Sequence, residues 1–131
     1  MSFRSTLLCA GVAAALSLTG TLAHAGAPAS NSCFLSANWS GWKSPSPNVI
    51  YLRVNANQIY QLDLSAGSSE LQDGDVHLVN RIEGSDWICS PLDMQLEVAD
   101  SHGGFREPLI VKSITRLTPE QVSAIPRKYL P

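Results

Sequence analysis

Residues 48–64 restrict the folds open to this chain more than any other stretch. Apolar residues occupy alternate positions on both sides of a short break, namely Ile50, Leu52, Val54, Tyr60, Leu62 and Leu64. Successive side chains of a strand point to opposite faces, so the alternation predicts two strands that each bury one face. Asn tolerates the positive φ that a tight turn requires. The break at residues 55–57 (Asn-Ala-Asn) therefore predicts that the two strands form a β-hairpin.

Further strands are required, because an isolated hairpin is only marginally stable in water. Residues 76–82 and 94–98 alternate in polarity, and residues 109–114 carry apolar side chains on both faces. Such patterns are typical of half-buried and buried strands. The short stretch 87–89 (Trp-Ile-Cys) returns the chain to the core. We expect a mainly β fold, a small antiparallel barrel or roll of about five strands, because closure removes exposed strand edges.

One short helix is predicted near the C-terminus. Thr118 is a suitable N-cap, Pro119 fits the first helical position, and Gln121 completes a capping box. Pro126 disfavours helical geometry in the residue before it, so the helix ends at Ile125. A helix of this length needs tertiary packing to persist.

The first 25 residues have the three parts of an export signal. Arg4 gives a positive start, residues 7–22 are mostly apolar, and residues 23–25 (Ala-His-Ala) precede a cleavage point with small side chains. The apolar run is shorter than the roughly 20 residues of a membrane span and is interrupted by Ser, Thr and Gly. We therefore expect residues 1–25 to be cleaved, which places the protein in the periplasm or outside the cell.

In the sequence after residue 25, we expect a flexible leader over residues 26–32 and a single small β domain over residues 33–131. Arg4 is the only charged residue of the signal, so its removal changes the net charge from −2 to −3. Nucleic-acid binding requires clustered Lys and Arg, and membrane-surface helices are basic and amphipathic. We expect neither kind of partner and no membrane span after signal cleavage. The basic pair Arg127 and Lys128 is interpreted as a solvated tail.

Two cysteines, Cys33 and Cys89, remain once Cys9 is discarded with the signal. An exported protein favours a disulfide between them. The bridge would close a loop of about 57 residues, worth about 4 kcal/mol on the chain-entropy model. Unpaired thiols or a zinc site with His77 and His102 are the alternatives. Close metal-binding pairs such as C-x-x-C are absent from the sequence, so we favour the disulfide and expect no metal.

Three tryptophans are candidates for a binding surface. Trp39 and Trp42 lie three residues apart, and Trp87 adjoins the second cysteine region. Flat amphipathic rings supply contact area for a partner. The alternative is that Trp39 and Trp42 close one end of the core over Cys33, because small domains rely on aromatic side chains for buried area.

No catalytic motif is present in the sequence: G-x-S-x-G, H-E-x-x-H and Gly-rich phosphate loops are all absent. Asp86, Asp93 and His77 are the only polar cluster suited to acid–base chemistry. A simpler interpretation is that Asp86 and Asp93 are turn and strand-entry residues that bind backbone groups. We therefore expect no catalytic residue and no cofactor.

Several short motifs follow one another along the chain. They are Cys33-Phe34, Trp42, Tyr60-Gln61-Leu62, Ile88-Cys89-Ser90 with Asp93, and Ile114 followed by Leu117-Thr118-Pro119-Glu120. Their order and spacing resemble an uncharacterised family of small exported proteobacterial proteins, a domain of unknown function, over nearly all of the chain after residue 25. Two further cysteines of that family are absent here, so the resemblance implies that Cys33 and Cys89 form the remaining bridge. It implies no activity or substrate.

These observations favour a non-catalytic periplasmic or secreted module that binds another envelope protein or a cell-wall component. A first alternative is a small inhibitor of a secreted hydrolase such as a lysozyme or a protease. Its candidate loops are residues 65–74 and residues 83–87. The first lacks the spaced acidic residues of a calcium loop, so we predict that it is a solvated segment. A second alternative is an enzyme that uses Asp86, Asp93 or His77.

Overall fold

The computed structural model describes residues 33–131, so the predicted signal peptide (1–25) and leader (26–32) lie outside the described residues. The strands are, in chain order, β1 (Phe34–Leu35), β2 (Trp39–Ser46), β3 (Val49–Val54), β4 (Gln58–Leu64), β5 (Val76–Arg81), β6 (Trp87–Ile88), β7 (Gln95–Asp100), β8 (Arg106–Leu109) and β9 (Val111–Arg116), and the helix is α1 (Pro119–Ser123). Short 3₁₀ turns cover Ser36–Asn38, Ser69–Gln72, Pro91–Asp93 and Arg127–Tyr129.

The described strands form three antiparallel sheets. The largest has the order β2-β3-β4-β9, the second has the order β5-β7-β8, and the third pairs β1 with β6. The prediction of a mainly β, antiparallel fold with little helix is confirmed.

The predicted hairpin is confirmed in detail. β3 and β4 pair without a register shift from Val49 opposite Asp63 to Val54 opposite Gln58. Asn55 has a φ of 55° in the turn, the left-handed conformation that Asn accepts more readily than most residues. Every second side chain of β3 is fully buried, as the alternation required.

The expected count of about five strands is too low, because the described residues contain nine. The strand predicted over residues 109–114 is divided at Ile110 into β8 and β9, which belong to different sheets. The Pro/Ser-rich residues 43–46, whose composition is typical of a connector, are the end of β2. β2 lies at an edge of its sheet. An edge strand tolerates Pro45 because no neighbouring strand requires an N–H from its unpaired side.

The expected closure into a barrel or roll is not found among residues 33–131. β2 and β5 are each paired on one side only, and no strand pairing joins these two edges. The edge of β2 is protected in other ways. The Nε2 of Gln72 donates to the Ser44 carbonyl at 3.1 Å, and a Cβ placed on Gly41 would lie 3.9 Å from Pro131. Covering an edge with side chains or a terminal segment is an alternative to closure.

One buried cluster receives side chains from all three sheets. Its members include Phe34, Ile50, Leu52, Val54, Tyr60, Leu62, Ile88, Leu96, Val98, Leu109 and Val111. The rings of Phe34 and Tyr60 lie 4.7 Å apart and thereby join the two-stranded sheet to the largest one. The two main sheets therefore pack around a shared core.

The predicted helix cap is also confirmed. The N–H of Gln121 donates to Thr118 Oγ1 at 3.3 Å, and the N–H of Thr118 donates to Gln121 Oε1 at 2.9 Å. The helix ends at Ser123, slightly before the predicted end, and Ile125 is buried beyond it. The N–H of Leu117 donates to the carbonyl of Ile59 at 2.9 Å, so α1 begins beside β4.

The predicted bridge is present between Cys33 and Cys89, at a sequence separation of 56. We expect the Cys33→Ser/Cys89→Ser variant to lose about 4 kcal/mol of unfolding free energy, because its unfolded chain is no longer cross-linked. Urea unfolding followed by tryptophan fluorescence measures the difference. Reduction of the wild-type protein is the matched control and should lower stability equally. Unchanged stability in both cases would contradict a structural role for the bridge.

Candidate functional site

A bulge in β2 sets the orientation of Trp39 and Trp42. Trp39 lies opposite Val54 and Trp42 lies opposite Leu52, with a register shift at Ser40 between them. In a regular strand, residues three apart point to opposite faces. The extra residue at the bulge brings both indoles to the buried face of the sheet, which Val54 and Leu52 also share. Both tryptophans are half-buried and pack against the core.

Two adjoining cavities lie between the unpaired edges of β2 and β5, one on each side of Trp42. The first, the lysine cavity, is about 400 Å³ and is lined by Trp42, Lys43, Ser44, Leu71, Gln72, Asp73, Gly74, Val76, Lys128 and Tyr129. The second, the histidine cavity, is about 420 Å³ and is lined by Ser36, Ala37, Trp39, Ser40, Gly41, Trp42, His77 and Leu78. Together they form the Trp42 groove. The volume of the lysine cavity lies in the range of small-ligand sites, whereas the histidine cavity is a shallow depression that is largely open to solvent.

One wall of the lysine cavity is the 3₁₀ turn Ser69–Gln72. Gln72 Nε2 donates to both the carbonyl and the hydroxyl of Ser44, at 3.1 and 3.2 Å. Leu71 is buried in the core, and the Ser68 hydroxyl donates to Glu107 at 2.8 Å. Most of residues 65–74 are exposed, as expected of a solvated loop, but Ser68 and Leu71 are buried and anchor the segment to the domain.

The C-terminal residues form another wall of the lysine cavity. The N–H of Tyr129 donates to the carbonyl of Pro126 at 2.8 Å, which fixes the turn that carries the phenol ring. Lys128 Nζ lies 4.6 Å from the centre of that ring, within the range of a cation–π contact. Lys128 is exposed, as predicted, and it also lines the groove.

The lysine cavity has an excess of positive charge. Lys43 and Lys128 line it together with a single acid, Asp73. Within residues 33–131, neither lysine forms an ion pair, since the ion pairs found there involve Arg81, Arg106 and His102. Two unpaired ammonium groups are notable in a chain whose formal net charge is −2.

Sequence reasoning singled out Trp39, Trp42 and His77 of this groove but did not predict that they meet. Lys43 lies in a Pro/Ser-rich stretch whose composition is typical of a connector, and Gln72 lies in the segment predicted to be a solvated loop. Tyr129 was not singled out. The side chains come from three separated parts of the chain. No local motif joins them, and only the pairing of β2 as an edge strand reveals where they meet.

The structure does not assemble the predicted acid–base cluster. His77 is exposed and lines the histidine cavity, whereas Asp86 and Asp93 do not line the groove. Asp86 is exposed, and its carbonyl accepts the N–H of Ser36 at 2.9 Å. Within residues 33–131, no group of three or more His, Cys, Asp or Glu side chains is placed to hold a metal ion.

Asp93 binds the backbone next to the disulfide. Its carboxylate accepts the N–H of Cys89 at 2.9 Å, the N–H of Ser90 at 2.7 Å and the Ser90 hydroxyl at 3.1 Å. These bonds, first of all that from Cys89, hold the pKa of Asp93 below its ordinary value. The carboxylate thus fixes the chain that follows β6, as the simpler sequence interpretation expected.

The third tryptophan belongs to a different surface. Trp87 is 52% exposed and Ile82 is 50% exposed, at the two ends of a loop that turns through Gly84. Gly84 has a φ of 100°, which residues with side chains rarely adopt. Trp87 pairs with Leu35 in the two-stranded sheet, so the base of the loop is fixed while its apolar side chains face solvent.

Asp93 generates a pH prediction. Its folded-state pKa is lowered, so the stability it contributes is complete above its ordinary pKa of 3.8 and is lost as the pH falls through the lowered value. We expect Asp93→Asn, which cannot ionise, to be less stable than wild type at pH 7 and to lose less stability as the pH falls from 7 through 3.8 and below. Urea midpoints across this range test it. Wild-type and variant curves that stay parallel would show that Asp93 does not contribute in this way.

Comparison with known proteins leaves the groove to be interpreted from its own residues. No protein-family model matches this chain, and no curated protein or solved structure is detectably similar to it. Within residues 33–131, the helices are too short and too polar to cross a membrane.

Proposed function

We propose that this protein is a non-catalytic periplasmic or secreted module that binds another component of the envelope in the Trp42 groove. The observation that carries the proposal is the groove itself, a pair of cavities around a half-buried indole between two unpaired strand edges. The predicted export signal and the bridge between Cys33 and Cys89 support an oxidising location. Membership of the uncharacterised exported family is part of the same proposal.

The walls of the groove support binding because they are held in place without a ligand. Trp42 packs against the core, and Gln72 is tied to Ser44 by two hydrogen bonds. Lys128 is held over the ring of Tyr129. A preorganised site loses less conformational entropy when it binds, so more of the contact energy contributes to affinity.

The positions of the acidic groups support binding in preference to catalysis. An acid–base mechanism requires two titratable groups that converge on one cleft. His77 lines the groove, but Asp86 and Asp93 lie outside it, and Asp93 is occupied by backbone donors. The enzyme alternative that uses Asp86, Asp93 and His77 therefore lacks the convergence on one cleft that it requires.

A photo-crosslinking amino acid at Gly74 tests the binding proposal in cells that express the full chain. Gly74 lines the lysine cavity, and a side chain there meets nothing within 4 Å, so the probe is accommodated. We expect irradiation to yield an adduct with an envelope component, because the probe faces the bound ligand. The matched control carries the probe at Glu120, which is exposed on α1 and does not line the groove. Equal labelling from both positions, or none from Gly74, would contradict the proposal.

The exposed loop supports a second candidate function, inhibition of a secreted hydrolase. Trp87 and Ile82 present apolar surface at its two ends, and the adjacent disulfide and β1–β6 pairing fix its base. Interface hot spots are enriched in tryptophan. The other candidate loop, residues 65–74, is less suited because Ser68 and Leu71 are buried.

Substitution of Trp87 tests this second candidate against a panel of lysozymes and secreted proteases. If the loop is inhibitory, Trp87→Ala should weaken inhibition about 30-fold or more, the usual loss for a hot-spot residue. Leu92→Ala is the matched control, since Leu92 is 94% exposed and lies outside the loop. Wild-type protein that inhibits no enzyme of the panel, or a Trp87→Ala variant that inhibits as well as wild type, would remove the candidate.

A further inference from the structure

The charged side chains of the lysine cavity indicate the sign of the charge on its ligand. Lys43 and Lys128 line the cavity without an ion-pair partner among residues 33–131, and Asp73 is the only acid beside them. A concave site lined by one sign of charge concentrates the opposite sign, even in a protein whose overall charge is negative. The remaining charge of the cavity therefore favours an anion.

The aromatic side chains indicate the shape of that ligand. Trp42 and Tyr129 are half-buried and line the cavity. Aromatic rings pack well against a molecule with a flat, weakly polar face, and polar groups at the rim then fix its orientation. Most other lining residues carry polar groups, including Lys43, Gln72 and Asp73. A saccharide has this combination, with C–H groups on one face of the ring and hydroxyl groups around its edge.

Lysine also suits a carboxylate in such a site. The ammonium group is a compact charge with three donors on a flexible stem, so it reaches a single carboxylate without the fixed geometry that a guanidinium imposes. The contact of Lys128 with the Tyr129 ring keeps that ammonium near the aromatic wall. A ligand that stacks on the rings would thus present an attached carboxylate beside a positioned cation.

We propose that the lysine cavity binds an acidic saccharide, with a sugar ring against Trp42 and Tyr129 and its carboxylate at Lys43 and Lys128. This inference rests on the proposed binding function and specifies its ligand class. Two kinds of sugar carry such a carboxylate. In one it belongs to a lactyl ether attached to an amino sugar, and in the other it is the carboxylate of a uronic acid.

Matched sugars separate the carboxylate from the ring. N-acetylmuramic acid is compared with N-acetylglucosamine, and glucuronic acid with glucose, by isothermal titration and amide NMR shifts on protein expressed from the full chain. We expect at least one acid to bind about tenfold tighter than its neutral counterpart, because a charge-assisted hydrogen bond is lost without the carboxylate. Its affinity should fall as ionic strength rises, because salt screens the lysines. The two pairs identify which source of carboxylate is preferred.

Removal of the two charges tests the assigned residues. Lys43→Gln/Lys128→Gln should lower affinity for the acidic sugar about tenfold or more while leaving the weak neutral binding unchanged. Lys112→Gln is the matched control, since Lys112 is exposed and lies outside the groove. If the double variant does not fold, each single variant and the salt dependence of wild type provide the same comparison. Equal affinity for acidic and neutral sugars, no binding to any of them, or a double variant that binds like wild type would each overturn the inference.

The binding proposal and the ligand class fail in different ways. An envelope adduct at Gly74 with no preference for acidic sugars would retain the module and overturn the saccharide. Absence of both the adduct and sugar binding would overturn both.

Discussion

The pairing of β3 with β4 is the constraint on which the other elements depend. Six consecutive residue pairs join the strands, and alternate side chains of β3 have no exposed surface. β2 pairs with one side of this hairpin and β9 with the other, so the hairpin sets the order of the four-stranded sheet. Its apolar face also belongs to the cluster that receives Leu96 and Val98 from β7. The second sheet and the small β1–β6 sheet are therefore positioned by packing on this face.

Elements that form from neighbouring residues were predictable. The alternation of residues 48–64 and the Asn-containing turn predicted the hairpin, and Thr118 with Gln121 predicted the helix cap. β2 was missed, because Pro45 and its Ser neighbours are typical of a connector. Its strand conformation depends on pairing with β3, and an edge position tolerates a proline. The division at Ile110 was missed for the same reason. The chain passes there from one sheet to another, and this depends on which distant strands pair with β8 and β9.

The candidate site was less predictable than the fold. Trp39 and Trp42 were singled out, but their spacing indicates opposite faces in a strand, and only the bulge at Ser40 brings them together. Lys128 was interpreted as part of a solvated tail because a basic residue near a terminus needs no partner. Its contact with Tyr129 and its position beside Lys43 result from folding of the C-terminal residues along β2. Sites assembled from distant stretches leave no periodic pattern in the sequence.

The unpaired edges of β2 and β5 are what makes the groove possible. Strand pairing across this gap would satisfy the backbone groups of both edges, but it would occupy the space on either side of Trp42. Instead, Gln72 binds the edge at Ser44 and the residues up to Pro131 lie against Gly41, so β2 is shielded without being paired. Trp42 can then contribute to the core and to both cavities at once. A closed barrel of the same strands would gain hydrogen bonds between β2 and β5 but would lose the aromatic surface at Trp42. The gap between these two strands is therefore a structural requirement of the proposed binding site.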